Sequence, residues 1–501
     1  MADSAKDAHS EDEQPDIFRH VQEALKLDLL PEYASRLRHR QNSQPQPDES
    51  PIDCKVVSDP LAGSNHILFQ VDFEDQVQWL LKVPANGYQG AFDEMSARAL
   101  RSEALTMRLV KSKTTIPVPE VYEFSDSCDN PLGCPFILME YIDGRWLFDA
   151  WFERDIPPEI LEQNREQALR DVASAVIQLN QFSFGKAGTL TFDADGNLGT
   201  EIGPFREVNM VAMLDRLSEE DYEGSNLFSE LEPMSDPKTY FTHMLDRRDL
   251  SNIEESGKGM HKLLGLFIDS AVKECRAAED TDHPAFVLAH PDLDIQNVIV
   301  SKTDGRVLSL IDWDGVATVP QCMFGNEGYP SWLTRDWDAM KYAYKSPDEA
   351  EGDTTASDAP GHSENSPAEL ASYREKWKDT IARITGSRFA TKVAHNSLVV
   401  YNLKIAADDP VCRDHIVMRI FEEAKATTVE FKSRSLQQAE ESSDEKGNVP
   451  SSSSKGQGDD KFYLYEVCTK LANGKLEEDH YQRLVDGFKG LFLHNHEVNQ
   501  H

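Results

Sequence analysis

The sequence predicts an α+β chain of two lobes, a small one built on an antiparallel sheet and a large, mainly helical one. Three observations lead there. Short apolar strands alternate with turns through residues 17–144, and apolar residues recur at three- and four-residue steps beyond them. Near residue 300, short strands carry an ordered array of His, Asp and Asn. At 501 residues the chain can bury a large core. Lobes of about 100 and 300 residues fit ordinary domain sizes.

The first lobe is read as follows. Asp59 to His66 is a loop with one glycine, Gly63, followed by Ser64, and Ile67 to Phe73 alternates like a strand. Trp79-Leu80-Leu81-Lys82-Val83-Pro84 is a second apolar strand with a lysine inside it. An ammonium in an apolar strand is costly unless paired, and phosphate oxygens with a helix carboxylate would pair it. Glu103, on a helical stretch from Phe92 to Val110, is the candidate carboxylate; Glu94 is a rival, and snorkelling of Lys82 at a strand end is the plain alternative. Prolines 117 and 119 force an extended segment. Pro135 to Ile142 then reads as a buried strand running into a turn at Asp143-Gly144.

The second lobe follows. Ile160, Leu161, Leu169, Val172, Val176 and Leu179 mark one helix with a buried stripe, and Leu263, Leu264, Phe267, Ile268, Ala271 and Val272 mark another. Trp332 to Trp337 reads as the start of a packed helix or as a pocket wall. The division expected is 17–144 for the small lobe, 145–345 for the core of the large lobe, 368–433 for further helices and 461–501 for C-terminal helices. Residues 1–16, the acidic insertion 346–367 and the Ser/Gly-rich linker 434–460 hold too little apolar surface to order themselves and are expected to be disordered.

The array near residue 300 carries the chemistry. His290-Pro291-Asp292 is followed by Asn297, and Asp312 comes fifteen residues after that Asn. Apolar strands flank each of these, with a turn at Thr303-Asp304-Gly305 between the last two strands. Phosphoryl transfer needs a carboxylate to direct an acceptor hydroxyl, and an Asn and an Asp to hold magnesium on nucleotide phosphates. With 88 acidic residues such spacing also arises by chance, but carboxylates at the ends of buried strands are uncommon without a partner.

The string LAHPDLDIQNVIV…SLIDWDG resembles the catalytic segment of the aminoglycoside phosphotransferase and choline kinase superfamily, in its fungal branch. The likeness covers residues 50–345 in outline. It implies a bilobed protein-kinase-like fold and ATP-dependent phosphorylation of a small-molecule hydroxyl, with ATP and Mg2+ as cofactors. By position, Asp292 matches the catalytic base, Asn297 and Asp312 the metal ligands and His290 the brace of the loop. Gly63 and Ser64 fall in a reduced phosphate loop, Lys82 and Glu103 form the phosphate-positioning pair, and the backbone of Glu140, Tyr141 and Ile142 is where the adenine is held. Asp294-Ile295-Gln296 departs from the His-Pro-Gly run of many members, which removes any substrate inference from that stretch. Asp314 is expected to stand behind the metal ligands, to cap the next loop or to touch the metal itself.

Composition narrows the partners. A net charge of −37 argues against nucleic acid and anionic membrane surfaces and suits either an uncharged or a cationic, amine-bearing acceptor. Seven scattered cysteines without a C-x-x-C pair argue against structural zinc and suit a reducing compartment. The acidic start of the chain does not look like a secretory or mitochondrial leader, and the cytoplasm is the expected location. Two rival functions stand beside a small-molecule kinase. One is a pseudokinase that binds nucleotide or protein without turnover. The other is a protein kinase, disfavoured because no Asp-Phe-Gly or Ala-Pro-Glu lies between Asp312 and Trp337.

Overall fold

The computed structural model describes residues 17–41, 51–209, 212, 227–246, 250–251, 253–276, 286–345, 364–427 and 463–492. The expected disordered segments 1–16 and 434–460 lie outside these residues, as does most of 346–367.

The small lobe is a six-stranded antiparallel sheet. Its strands are β1 (Cys54–Val56), β2 (Leu61–Ala62), β3 (His66–Phe73), β4 (Gln78–Pro84), β5 (Val121–Ser125) and β6 (Phe136–Glu140), in the order β1-β3-β4-β6-β5 with β2 paired to β3. The region 59–66, expected to be a loop throughout, thus contains a short strand, and only its tip is a turn. Alternation in β3 sends Ile67, Phe69, Val71 and Phe73 to one face, where they pack on α1 (Arg19–Ala24) and α2 (Leu30–Gln41) through Val21, Leu30 and Leu37. The other face receives α3 (Glu94–Lys113). Asp93 caps this helix by accepting from Ser96 N at 2.8 Å, and Lys111 and Lys113 sit in its last turn, where cations suit the helix dipole. Leu100, Ala104, Met107 and Val110 of α3 join a core that continues into the large lobe through Leu288, Val298, Leu310 and Trp313. One apolar core therefore ties the Lys82 sheet to the segment that carries Asp292.

The large lobe is mainly helical, with long helices at Pro158–Val176, Glu255–Arg276, Pro367–Thr385 and Arg388–Asp408 and shorter ones at Leu464–Ala472 and Glu478–Lys489. The helix from Pro367 begins in a reciprocal cap between Ser366 and Glu369, and Gly386 ends it with φ +61°. The preceding residue, Asn365, is buried and accepts from Trp151 Nε1 at 2.7 Å. The acidic insertion expected to run to residue 367 is therefore structured from 364 onward, held by a cap and a buried Trp. A further difference lies at 189–231. Instead of helix, Thr189–Phe192 pairs with Leu198–Gly203, and Phe205–Val208 with Phe228–Leu231. Thr189-Leu190-Thr191-Phe192 alternates polar and apolar over four residues only, and Phe205–Val208 and Phe228–Leu231 are apolar only at their ends, so none stands out as a strand. Trp332 and Trp337 are both buried, in two short 3-10 turns.

Candidate functional site

Two small strand groups position the catalytic segment. Phe286–Ala289, buried at all four residues, pairs with Ala317–Pro320, and Val298–Val300 pairs with Val307–Leu310. Four consecutive apolar side chains make Phe286–Ala289 a strand enclosed on both faces, so the polar run after it emerges from a rigid support. Gly305, with φ +67°, makes the turn between the second pair.

His290 follows the first strand directly. Its Nε2 donates to Ile311 O at 3.0 Å and its Nδ1 accepts from Asp292 N at 3.3 Å, so the ring is held as the neutral Nε2–H tautomer. Burial lowers its pKa to about 4. The ring also meets Trp313 edge-on, at 4.7 Å between centroids. His290 thus ties the start of the Asp292 loop to the residue before Asp312.

Asn297 Nδ2 donates to both Asp292 O and Asp292 Oδ2, each at 3.0 Å. This fixes the Asp292 carboxylate and leaves its Oδ1 for the cleft. It also leaves Asn297 Oδ1 as an oxygen ligand. The Asp292 carboxyl is pushed up to about 6, first by partial burial and then by the charges of Asp294 and Asp312, against the pull of Asn297 and Arg335. Asp294 is buried and turned away, accepting from Ser331 Oγ and from Arg335 Nη2 at 2.7 Å. It anchors the loop from below.

Asp312 has φ +61°, uncommon for a residue with a Cβ, and this bend turns its side chain into the cleft. Lys82 Nζ donates to Asp312 Oδ1 at 3.0 Å and to Glu103 Oε1 at 2.7 Å. Lys82 and Glu103 are 5% and 3% exposed, which makes this a buried pair rather than snorkelling. Burial opposes the Lys82 charge, but Glu103 and Asp312 outweigh it and raise its pKa. Glu94 is excluded as the partner, because its side chain is 87% exposed and bound to Arg98 at 2.8 Å. Helical phase decides between the two: Glu103 shares the buried face with Leu100 and Met107, and Glu94 stands at the helix start.

The nucleotide-binding candidates divide. Gly63 and Ser64 form the exposed tip between β2 and β3, where Gly63 N donates to His66 O at 2.9 Å. At the end of β6 the sheet takes the N–H groups of Glu140, to Glu120 O at 2.8 Å, and of Tyr141, to Gln78 O at 3.2 Å. The Glu140 side chain accepts from Lys111 Nζ at 3.2 Å. Backbone contact to a ligand there is left to Ile142 and to carbonyl oxygens.

Two residues escape the sequence reading, His66 and Arg206, and both lie against Asp314. Asp314 is neither a loop cap nor solvent-facing: its Oδ1 accepts from Arg206 Nη2 at 2.5 Å, and its Oδ2 lies 4.0 Å from His66 Nε2. Burial would raise its pKa, but Arg206, His66 and Lys82 outweigh that and hold it at about 2. Burial and Lys82 bring His66 down to about 3. His66, Lys82, Glu103, Arg206 and Asp314 line one small cavity. Donor atoms of His66, Glu103 and Asp314 lie within 4.8 Å of one another, but Lys82 and Arg206 already neutralise these carboxylates, so the trio is not read as a metal centre. Asn297 Oδ1 and the half-exposed Asp312 carboxylate do fit magnesium, a hard cation that takes oxygen ligands.

The sequence model of the phosphotransferase enzyme family matches residues 63–318. "Altered inheritance of mitochondria protein 9, mitochondrial" of Candida glabrata is 25% identical over 337 residues, covering 55% of this chain and 50% of that protein. A subtelomeric hrmA-associated cluster protein of Aspergillus fumigatus is 24% identical over 279 residues, 47% of this chain and 53% of the other. The chain thus spans about half the length of these curated relatives. A thermostable mutant of aminoglycoside phosphotransferase APH(4)-Ia, in ternary complex with AMP-PNP and hygromycin B, superposes with a TM-score of 0.36 at 13% identity, over 77% of this chain and 94% of that one. The cytoplasmic expectation is corrected by these relatives, of which the Candida protein is named as mitochondrial. It rested on the composition of the first residues, which does not report the compartment. Among the described residues no helix is long and apolar enough to cross a membrane.

Proposed function

The chain belongs to the phosphotransferase enzyme family, and from that premise we propose that it moves the terminal phosphoryl group of ATP, with magnesium, to a hydroxyl of a small molecule. The observation that carries this reading is the linkage of the polar groups: Asn297 holds Asp292, and Lys82 joins Glu103 to Asp312. Base, metal-binding oxygens and phosphate-binding ammonium thus meet in one cleft.

Each residue then has a role. Lys82 binds donor phosphate oxygens, and Glu103 keeps its ammonium aimed at them. Asn297 and Asp312 hold magnesium, which neutralises phosphate charge when bound. Asp292 Oδ1 takes the acceptor hydroxyl proton as the oxygen bonds to phosphorus and ADP leaves. A carboxyl with a pKa of about 6 is ionised at neutral pH yet basic enough to receive that proton. A positioned base of this kind contributes about 10²–10⁴-fold, with orientation and charge neutralisation supplying the rest. Neutral His290 keeps the loop in register. The acidic character of the chain, with a net charge of −37, suits an amine-bearing acceptor.

The test is ADP release from ATP and magnesium across a panel of small alcohols, amino alcohols and aminoglycosides, with Asp292→Asn as the blank. Acceptor-dependent release that vanishes in the variant supports the reading. Nucleotide binding without release from any acceptor supports the pseudokinase instead, a reading that the thin phosphate loop favours. The relatives' names support a mitochondrial location, which fractionation tests.

A further inference from the structure

Arg206 occupies a position that its place in the chain does not foretell. It sits in Phe205–Val208, which pairs antiparallel with Phe228–Leu231 as a two-stranded sheet within the large-lobe part of the chain. That strand pair lies against the helix that carries Glu103. Arg98 Nη2 donates to both carboxylate oxygens of Glu230, at 2.7 Å each. In the neighbouring hairpin, Leu190 O accepts from Ser102 Oγ at 3.1 Å. On the large-lobe side, His243 Nε2 lies 2.6 Å from Glu207 Oε1. The strand bearing Arg206 is therefore fastened to both lobes, and its guanidinium is held 4.0 Å from the centroid of the Phe228 ring.

Charge explains what such a support achieves. Lys82 and Arg206 line one cavity with the carboxylates of Glu103 and Asp314, and Lys82 also binds Asp312, so three carboxylates meet these two cations. Without Arg206, three negative charges would face one ammonium at the place where donor phosphates must sit. The loop above offers little compensation, because it has a single glycine whose N–H already bonds His66 O. His66, at that loop tip, is neutral and lies 4.0 Å from the same Asp314 carboxylate. Among the described residues Arg206 finds one hydrogen-bond acceptor for its guanidinium, Asp314, whereas the group carries five N–H donors in a fork that matches phosphate oxygens. A nearly buried ion pair seldom adds net stability, so structural bracing is a weak reason for placing an Arg there.

We propose that Arg206, supplied from within the chain by the strand Phe205–Val208, is a phosphate-binding residue of the transfer site that contacts the terminal phosphoryl group of the donor. This rests on the phosphotransfer reading above. Asp314 holds the guanidinium in place, and Phe228 supports it from behind. The charge that spreads over the terminal phosphoryl oxygens during transfer then meets a cation already in position.

The experiment is calorimetric binding of AMP-PNP and of ADP, each with magnesium, to wild type, Arg206→Ala and Arg206→Lys. A residue on the terminal phosphate predicts that Arg206→Ala weakens AMP-PNP by about tenfold or more and leaves ADP within about twofold. Arg206→Lys keeps the charge without the fork and loses less, again for AMP-PNP alone. If Arg206→Ala does not fold, Arg206→Lys is read in its place. Equal loss for both nucleotides identifies a structural brace and overturns the proposal, as does no loss for either. A wild-type protein that binds neither nucleotide overturns the phosphotransfer reading and this inference together. Wild-type binding with indifferent Arg206 variants overturns this inference alone.

Discussion

Glu103→Ala removes one of two carboxylates that hold the Lys82 ammonium. The bond is 2.7 Å long, and Lys82 and Glu103 are 5% and 3% exposed. Taking one partner from a buried pair costs about 3–5 kcal/mol, because the other charge stays in a low-dielectric site. Asp312 remains 3.0 Å from the ammonium, but its side chain is 50% exposed and its attraction is screened. It offsets part of the loss, which places the cost near the lower end, about 3 kcal/mol. Glu94 supplies the control on the same helix. Its pair with Arg98 is solvent-facing, with the Glu94 side chain 87% exposed, and pairs of that kind contribute about 0–1 kcal/mol. Urea unfolding of both variants measures the difference. The expected result is a clear fall in midpoint for Glu103→Ala with a near-normal midpoint for Glu94→Ala. Equal effects, or a Glu103→Ala midpoint at the wild-type value, would refute the reasoning.

Other outcomes follow from the same geometry. Asp292→Asn should abolish turnover while ATP binding, followed by calorimetry, stays within a few-fold of wild type; normal turnover would remove Asp292 from the base role. Because the active form of Asp292 is the carboxylate and its pKa is raised to about 6, kcat/KM should rise with pH through about 6 and level off above 7; a profile flat down to pH 4.5 would contradict that assignment. A Cβ at Gly259 would lie 1.8 Å from Cys468 O, where two helices touch. Gly259→Ala should therefore loosen the helix Leu464–Ala472, seen as faster protease cleavage there with ATP binding intact; unchanged cleavage would show that the helix does not depend on this contact.

Much of the site is legible in the sequence because each part sits on a local pattern. Lys82 is a cation within an apolar strand, and Asp292, Asn297 and Asp312 stand beside short apolar runs whose burial fixes where the polar residues emerge. Glu103 and Glu94 could not be separated by composition, since the choice depends on where helix α3 meets the sheet. Arg206 lies beyond local patterns altogether. It reaches Asp314 across 108 residues, from a pair of short strands with polar residues at their middle positions and no apolar run to mark them. The region 145–280, including Gly203-Pro204-Phe205, is expected to help build the pocket, but nothing there spells out the cation that follows. The acidic insertion shows the converse: its composition argued for disorder as far as residue 367, but one buried Asn and a Ser–Glu cap order its last residues.

The most direct test of the central claim is the melting temperature with ATP alone, magnesium alone, both and neither, on wild type and Asp312→Asn. Asparagine tolerates the left-handed backbone at that position, so the variant removes charge without adding strain. A ligand that binds only the folded chain adds about 2.7 kcal/mol of stability at a hundredfold excess over its dissociation constant. The account predicts a rise that needs ATP and magnesium together and is lost in Asp312→Asn. No rise in wild type under any condition, or an undiminished rise in the variant, would contradict it.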